Sequence, residues 1–288
     1  MNNLYIDLGA TNVFIGISKN KFDDIIKIST KKFFNNSSKI IDKIKNDNDI
    51  EKTAVALPGP INREKNEIYP PNIPEEKINI RDLFKELGND IIFINDCHAG
   101  VIGEYVYGEK QSENMIYLTI STGIGAGVLS NGNLLKGWKG NFAEVGHMII
   151  EGDRRCGCGG KGHWEAYCSG RNVVEYAEEM YDKIYDDAKQ LFEAFKNGDK
   201  EASKAVNKFQ EINAKAISNL INLYNPKLIV IGGSLAINNP KLIIGKNDKI
   251  IEKNSINTVP KIKVTSLGNN SVLHGLRAIC LNKFDYTH

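Results

Sequence analysis

One short pattern constrains this chain more than any other, because it occurs twice. Leu4-Tyr5-Ile6-Asp7-Leu8-Gly9-Ala10-Thr11 and Ile116-Tyr117-Leu118-Thr119-Ile120-Ser121-Thr122-Gly123 are built alike. In each, an apolar strand runs into a turn of small and hydroxyl residues, and another strand follows. About 112 residues separate the two copies. The repetition predicts two lobes on one plan, each offering a hairpin loop to a shared cleft. The 288 residues are long for one core and comfortable for two.

The rest of the chain fits an α/β reading. Leu4 to Leu8, Val13 to Ser18 and Ile25 to Thr30 read as strands, Ser38 to Lys45 as a helix and Thr53 to Leu57 as a strand stopped by Pro58-Gly59-Pro60. Arg81 to Leu87 reads as a helix closed by Gly88. Ile91 to Ile94 is a strand with Asn95-Asp96 at its carboxyl end, and a helix then runs to about Tyr107. Met115 to Ile120 leads through Ser121–Gly127 into a strand from Val128, and Asn131-Gly132 is a hairpin turn signal. Ala202, Val206, Phe209, Ile212, Ala216 and Leu220 recur at helical spacing as a core-facing stripe. Lys227 to Ile231 is a strand entering Gly232-Gly233, and a helix over about Val272 to Leu281 closes the chain.

Three groups of residues carry chemistry. A turn of Gly, Ser and Thr leaves backbone N–H groups that bind phosphate oxygens. Gly9, Ala10, Thr11 and Asn12 form one such turn, and Thr122, Gly123, Ile124, Gly125 and Gly127 the other. Either alone reads first as an ordinary hairpin; together, with Gly232 and Gly233 after a third strand, they favour a polyphosphate site. Neither is a Walker A loop, and neither has the helix that a dinucleotide turn requires. Asp7, beside the first loop, can hold Mg²⁺ through water or be a solvated strand-end carboxylate. Asp96 can accept a proton from an attacking hydroxyl. An Asp there is also a common helix N-cap, and position alone leaves the two roles even. His147, Cys156, Cys158 and His163 have the donor types and spacing of a closed tetrahedral Zn²⁺ site; Cys156 and Cys158 could otherwise be small residues of a Gly-rich loop. His98 could also be a metal ligand, but it reads first as a packed or substrate-facing side chain.

Composition excludes several classes. The formal net charge is +2, with 37 basic and 35 acidic residues, so no basic field tracks a nucleic-acid backbone. No signal peptide precedes the first strand and no apolar run approaches bilayer length, so a cytoplasmic protein is expected, without a membrane partner. Three of the five cysteines lie close together, which in that compartment suggests metal more than disulfides.

The stretch Gly140–Gly170 resembles the signature of the ROK sugar kinases. Glu144-Val145-Gly146-His147 precedes Cys156-Gly157-Cys158-Gly159, Gly162, Glu165 and Ser169-Gly170. Asp7–Thr11, Pro58-Gly59, Asn95-Asp96, Thr122–Gly125 and Gly232-Gly233 follow the family's order, so the resemblance covers essentially the whole chain. It implies an actin-like (ribonuclease H-like) ATPase fold of two lobes with a nucleotide and sugar cleft between them. The expected N-terminal lobe is residues 1–112, with the C-terminal helix of 273–288 packing back on it. The expected C-terminal lobe is 113–272, with the zinc motif and a helical insertion.

The resemblance also implies roles. Asp96 looks like the general base, and Gly59, Asn72, Asn95, Asp96, Glu144, His147 and Glu165 look like the sugar shell. His147 would hold zinc on one ring nitrogen and a sugar hydroxyl on the other. The implied reaction is ATP- and Mg²⁺-dependent phosphorylation of a hexose 6-hydroxyl, with glucose favoured over fructose, mannose or N-acetylmannosamine, in a homodimer or higher homo-oligomer. The chain departs from the family at His163, usually Cys, with Cys168 a possible substitute ligand. It departs also at His98, usually Asn, at Asn12, usually Lys, and at Ser121, usually Gly. Two rival readings are a sugar-sensing repressor and a catalytically silent sugar-binding protein. Repressors of the family carry an N-terminal helix-turn-helix domain, for which the position of the first loop leaves no room; intact loops and Asp96 weigh against a silent protein.

Overall fold

The computed structural model describes residues 2–18, 22, 25–70, 77–88, 90–109 and 112–286. The chain divides into two units. The first comprises Met1–Gln111, Asn133–Ala143 and Asn270–His288; the second comprises Ser112–Gly132 and Glu144–Asn269.

In chain order the first unit contains β1 (Asn2–Leu8), β2 (Asn12–Ser18), β3 (Ile25–Ser29), α1 (Thr30–Asp47), β4 (Ile50–Leu57), β5 (Ile61–Asn62), β6 (Glu67–Ile68), β7 (Ile78–Asn79), α2 (Ile80–Leu83), β8 (Ile91–Asn95) and α3 (Asp96–Gly103). The main sheet has the order β3-β2-β1-β4-β8, with β1 antiparallel to β2 and parallel to β4, and β4 parallel to β8. Leu4, Ile6 and Leu8 share a buried cluster with Phe33, Ile41 and Ile44 of α1, so that helix covers one face of the sheet. Strands β5, β6 and β7 make a separate three-stranded sheet.

Two helices differ from their sequence expectation. α1 begins at Thr30 rather than Ser38, because the Ser29 side chain caps it by accepting from the Lys32 amide, and it kinks at Asn36. The helix expected over Arg81–Leu87 breaks at Phe84, whose backbone leaves helical geometry before a tighter turn over Lys85–Leu87. Phe84 is fully buried against Phe33 and Phe93. Its ring is placed by the core rather than by helical periodicity.

The second unit contains β9 (Met115–Ile120) and β10 (Ile124–Ser130); β11 (Asn133–Leu134) then belongs to the first-unit segment. After it come α4 (Trp164–Cys168), α5 (Asn172–Tyr181), α6 (Ala188–Lys196), α7 (Lys200–Tyr224), β12 (Leu228–Gly232), α8 (Ser234–Asn238), α9 (Asp248–Asn254) and β13 (Lys261–Val264). Strand β9 is antiparallel to β10 and parallel to β12, and β12 is parallel to β13. The order β10-β9-β12-β13 therefore repeats β2-β1-β4-β8, with each turn-bearing hairpin in the same place. The six predicted stripe residues of α7 are all buried. Asn131 and Gly132 both have positive φ, as their turn demands.

The last helix, α10 (Ser271–Cys280), belongs to the first unit and packs on α3. Its approach is close enough that a Cβ at Gly103 would collide with the Ser271 carbonyl, and one at Gly275 with the Ala99 carbonyl. Beyond Gly103 the helical path widens into one π-turn over Glu104–Gly108. Among the described residues, no helix is long and apolar enough to cross a membrane.

Candidate functional site

The first unit gathers carboxylates at the carboxyl ends of parallel strands, where ligands collect in open α/β sheets. Asp7 on β1 is level with Ala56 on β4, which is level with Ile94 on β8. Asp96 follows two residues after Ile94, as the first residue of α3. Burial pushes Asp7 up to about 8, and the nearby Asp96 charge adds to the rise. Burial also raises Asp96, to about 6, against the opposing hydrogen bonding at Cys97.

The cap of α3 is assigned by its hydrogen bonds. Asn95 is the N-cap of α3: its Oδ1 accepts from the amides of Cys97 at 2.9 Å and His98 at 3.1 Å. Asp96 accepts from the Cys97 amide at 2.8 Å through Oδ1. Because its neighbour caps the helix, the Asp96 carboxylate is not committed to that task.

The first loop is tied down at both ends. The Gly9 amide donates to the Asn12 carbonyl at 3.1 Å, the Thr30 hydroxyl donates to the Gly9 carbonyl at 2.7 Å, and the Thr30 amide donates to the Thr11 carbonyl at 3.0 Å. Ala10 and Thr11 form the turn, and Asn12 starts β2. Gly59 lies just past β4, while Asn72 falls outside the described residues. His98 is 1% exposed and donates from Nε2 to the Phe142 carbonyl. Burial lowers its pKa to about 4, so the ring is neutral at pH 7.

The second unit places neutral donors at the equivalent strand ends. The loop is shorter than expected: β10 already begins at Ile124, so Gly125 and Gly127 lie within the strand, and only Ser121, Thr122 and Gly123 turn. Glycine's lack of a side chain does not prevent pairing when strands on both sides fix the register; Gly125 pairs with Thr119 and Gly127 with Tyr117. Gly232 pairs with Thr119 across β12 and β9. Gly233 has φ +86°, and a Cβ there would lie 2.5 Å from the Ile120 carbonyl oxygen, so only glycine fits. The Ser121 and Ser234 hydroxyls are 2.9 Å apart. The second loop and Gly232–Gly233 are therefore one cluster.

Glu165 links that loop to the cysteine-rich stretch. It sits in the first turn of α4, is 3% exposed, and accepts the Ile124 amide at 2.7 Å. Gly146, within the Glu144–His147 turn, packs so tightly on Ile124 that a Cβ would collide with its carbonyl. Glu144 is exposed. His147, Cys156, Cys158 and His163 each present a ligand atom, all within 4.8 Å of one another. Cys156 Sγ lies 3.8 Å from His147 Nδ1, and Cys158 Sγ 3.3 Å from His163 Nδ1. Two thiols and two imidazoles converging this closely fit tetrahedral Zn²⁺. Burial lowers the His147 pKa, which keeps a ring lone pair available, and raises the Cys156 thiol to about 11. Cys168 is no substitute ligand: it is buried on α4, with its Sγ directed to the Phe209 carbonyl. His98 lies outside the cluster as well.

Sequence reasoning missed two features. The structural tie from His98 to Phe142 joins residues 44 apart. Asn141 likewise clasps both the amide and the carbonyl of Ile61, at 2.8 and 3.0 Å. The only sequence hint was that His98 is unusual in its position.

Comparisons with known proteins follow the same lines. A glucokinase of Pyrobaculum calidifontis is 33% identical over 224 residues, 75% of each chain. The xylose repressor of Bacillus subtilis is 29% identical over 240 residues, 80% of this chain and 61% of that one. The crystal structure of a ROK family glucokinase from Streptomyces griseus, in complex with glucose and AMPPNP, superposes with a TM-score of 0.80 at 22% identity, over 96% of this chain and 98% of that one. That likeness shows the actin-like ATPase fold. The ROK family model itself matches residues 5–283, so with its duplicated hairpin, its Asp96 and its Cys/His cluster the chain belongs to the ROK family.

Proposed function

We propose that this protein is an ATP-dependent hexose kinase that phosphorylates the 6-hydroxyl of glucose. The observation that carries the reading is the division of labour between Asn95 and Asp96. Asn95 caps the helix, and Asp96 is left as a carboxylate raised to about 6, next to buried Asp7. A base with a pKa just below neutrality is ionised at pH 7 yet still able to take a proton. The glucokinase relatives support the substrate, and the family membership supports the reaction class.

Asp96 takes the proton of the attacking hydroxyl as the γ-phosphoryl group transfers in line. The loop amides near Thr11 and Thr122, with the backbone at Gly232–Gly233, would hold phosphate oxygens. Asp7 would hold Mg²⁺, in part through water, and a divalent cation there supplies charge neutralisation of the polyphosphate. Buried Asp7 fits that role, since its charge is disfavoured in the absence of a cation. Gly59, Asn72, Asn95, Glu144, His147 and Glu165 form the sugar shell in this reading.

His147, Cys156, Cys158 and His163 would hold a structural Zn²⁺, which supplies cross-linking rather than catalysis because four protein ligands leave no open position. Ligation through one ring nitrogen fixes the tautomer of His147, so the other nitrogen is oriented toward a sugar hydroxyl. In this reading the protein acts in the cytoplasm as a homo-oligomer.

A coupled assay over a panel of hexoses and nucleoside triphosphates tests the proposal. The expected result is ADP formation that requires a hexose and Mg²⁺, with glucose giving the highest kcat/KM. No turnover with any hexose, together with retention of duplex DNA on a filter, would favour the repressor reading suggested by the Bacillus relative.

A further inference from the structure

The second hairpin carries a side chain where the first cannot. Ser121 is the counterpart of Gly9, 112 residues earlier. A Cβ at Gly9 would lie 2.7 Å from the Asn12 carbonyl oxygen, because the first turn closes through the Gly9 amide on that carbonyl. The second turn is one residue shorter: Ile120 pairs with Ile124, whereas Leu8 pairs with Val13. It closes instead through the Ser121 amide on the Gly123 carbonyl, at 2.9 Å. The shorter turn accommodates a side chain at this place, and that side chain is a hydroxyl.

The hydroxyl is fixed from the backbone outward. The Ser121 carbonyl accepts the Gly170 amide at 2.7 Å, so both polar groups of its main chain are committed. Its Oγ lies 2.9 Å from the Oγ of Ser234, the first residue of α8. Ser234 is placed in turn by Gly233, whose φ of +86° and close approach to the Ile120 carbonyl admit no other residue. Thr119, two residues before Ser121 and on the same face of β9, sets its Oγ1 beside Gly233 as well. Ser121 is half-buried and Ser234 is exposed, so a ligand can reach the pair.

The turn needs such donors. Two of its backbone N–H groups are committed inside the protein, that of Ser121 to Gly123 and that of Ile124 to Glu165 Oε2 at 2.7 Å. A phosphate chain resting on the turn therefore meets fewer amides than the glycine-rich sequence suggests. In the hydroxyl pair one O–H donates to the other oxygen, which uses one donor and leaves one. Both can rotate onto anionic oxygen, which is the stronger acceptor. We propose that Ser121 and Ser234 bind the phosphate chain of the nucleotide, each donating its O–H to a phosphate oxygen. The choice of a nucleotide rests on the kinase reading; the placement of the paired hydroxyls does not.

Calorimetry with ADP, and displacement of ADP by adenosine, separate the phosphate chain from the nucleoside. S121A and S234A are each expected to weaken ADP about tenfold, the loss of one hydrogen bond to a charged group. Both should leave the affinities for adenosine and for glucose unchanged. S121T keeps a hydroxyl and is expected to restore ADP binding. Equal weakening of ADP and adenosine would mean that the pair only supports the loop, and would overturn the proposal. ADP affinity undiminished in both alanine variants would overturn the serine assignment and leave the kinase reading standing. A wild-type protein that binds glucose but neither ADP nor ATP would remove the kinase reading and the assignment together.

Discussion

The two hairpin loops occupy equivalent places in equivalent sheets, yet their surroundings have opposite character. In the first unit, the residue two before the turn is Asp7, and the third parallel strand leads into Asp96. In the second unit the counterpart of Asp7 is Thr119, the neighbouring strand ends in Gly232, and β13 leads on through Thr265. At these positions one copy of the scaffold carries two carboxylates; the other carries hydroxyls and glycine backbone, with the Glu165 carboxylate held beside its loop by the Ile124 amide. The difference has a direct electrostatic reading. Carboxylates suit proton transfer and cation binding, and they repel phosphate. In the proposed reaction, proton transfer and cation binding fall to the carboxylate-bearing copy.

The strongest way to break this comparison is to remove the proposed base from the carboxylate-bearing copy. Asp96→Asn should lower kcat by about 10²–10⁴-fold, the range of general acid–base catalysis, with glucose binding retained in calorimetry. Turnover near the wild-type value would end the assignment. The same carboxylate gives a pH prediction. Since Asp96 is raised to about 6, kcat/KM should fall about tenfold per pH unit below that value. Its stability sign is also fixed. The folded state binds the extra proton between pH 3.8 and about 6, so stability declines as pH rises through that window, and the penalty is fully present above it. Asp96→Asn should therefore raise Tm at pH 7.5 while abolishing activity; a lowered Tm would show that the carboxylate is not strained.

The next effect sharpens the role of the second unit. Cys156→Ser should reduce zinc from about one per chain toward zero in elemental analysis. It should also cost about 3 kcal/mol, or roughly 6–12 °C in Tm. A fully stable, active, metal-free wild-type protein would remove the structural zinc. Smaller still, Gly233→Ala forces a Cβ onto the Ile120 carbonyl at positive φ. It should raise the KM for ATP about tenfold and leave glucose affinity unchanged, as expected if phosphate contacts reside in this half. A selective loss of sugar affinity would reverse the assignment of the two halves. The smallest effect is expected at His98. Its folded pKa is about 4 against 6.5 in the unfolded chain, so stability is lost as pH falls from 6.5 toward 4. His98→Asn should flatten that part of the Tm profile; an unchanged profile would show that His98 does not contribute to it.

Much of this was legible in the sequence for reasons that are local. Strands β1 and β9 are apolar enough to be read at sight, because a strand buried on both faces shows no alternation. The buried stripe of α7 was legible through its period, and the Cys/His cluster through its donor types. Glycine content misled at Gly125 and Gly127, which pair within β10 because partner strands override weak intrinsic preference. Phe84 misled in the other direction, since a core cavity rather than helix propensity placed it.

The sequence by itself determined the duplicated plan, the ROK membership and the inventory of reactive groups, because each of these is encoded in residue type and spacing along one segment. The tertiary structure alone decided which residue of Asn95-Asp96 caps the helix, since two neighbouring side chains compete for the same amides and only backbone direction selects between them. It alone carried residues 133–143 into the first unit, through the His98 and Asn141 bonds, and so formed a pocket beside Trp138. Those contacts join residues 44 and 80 apart, and no local pattern in a single sequence records such distances.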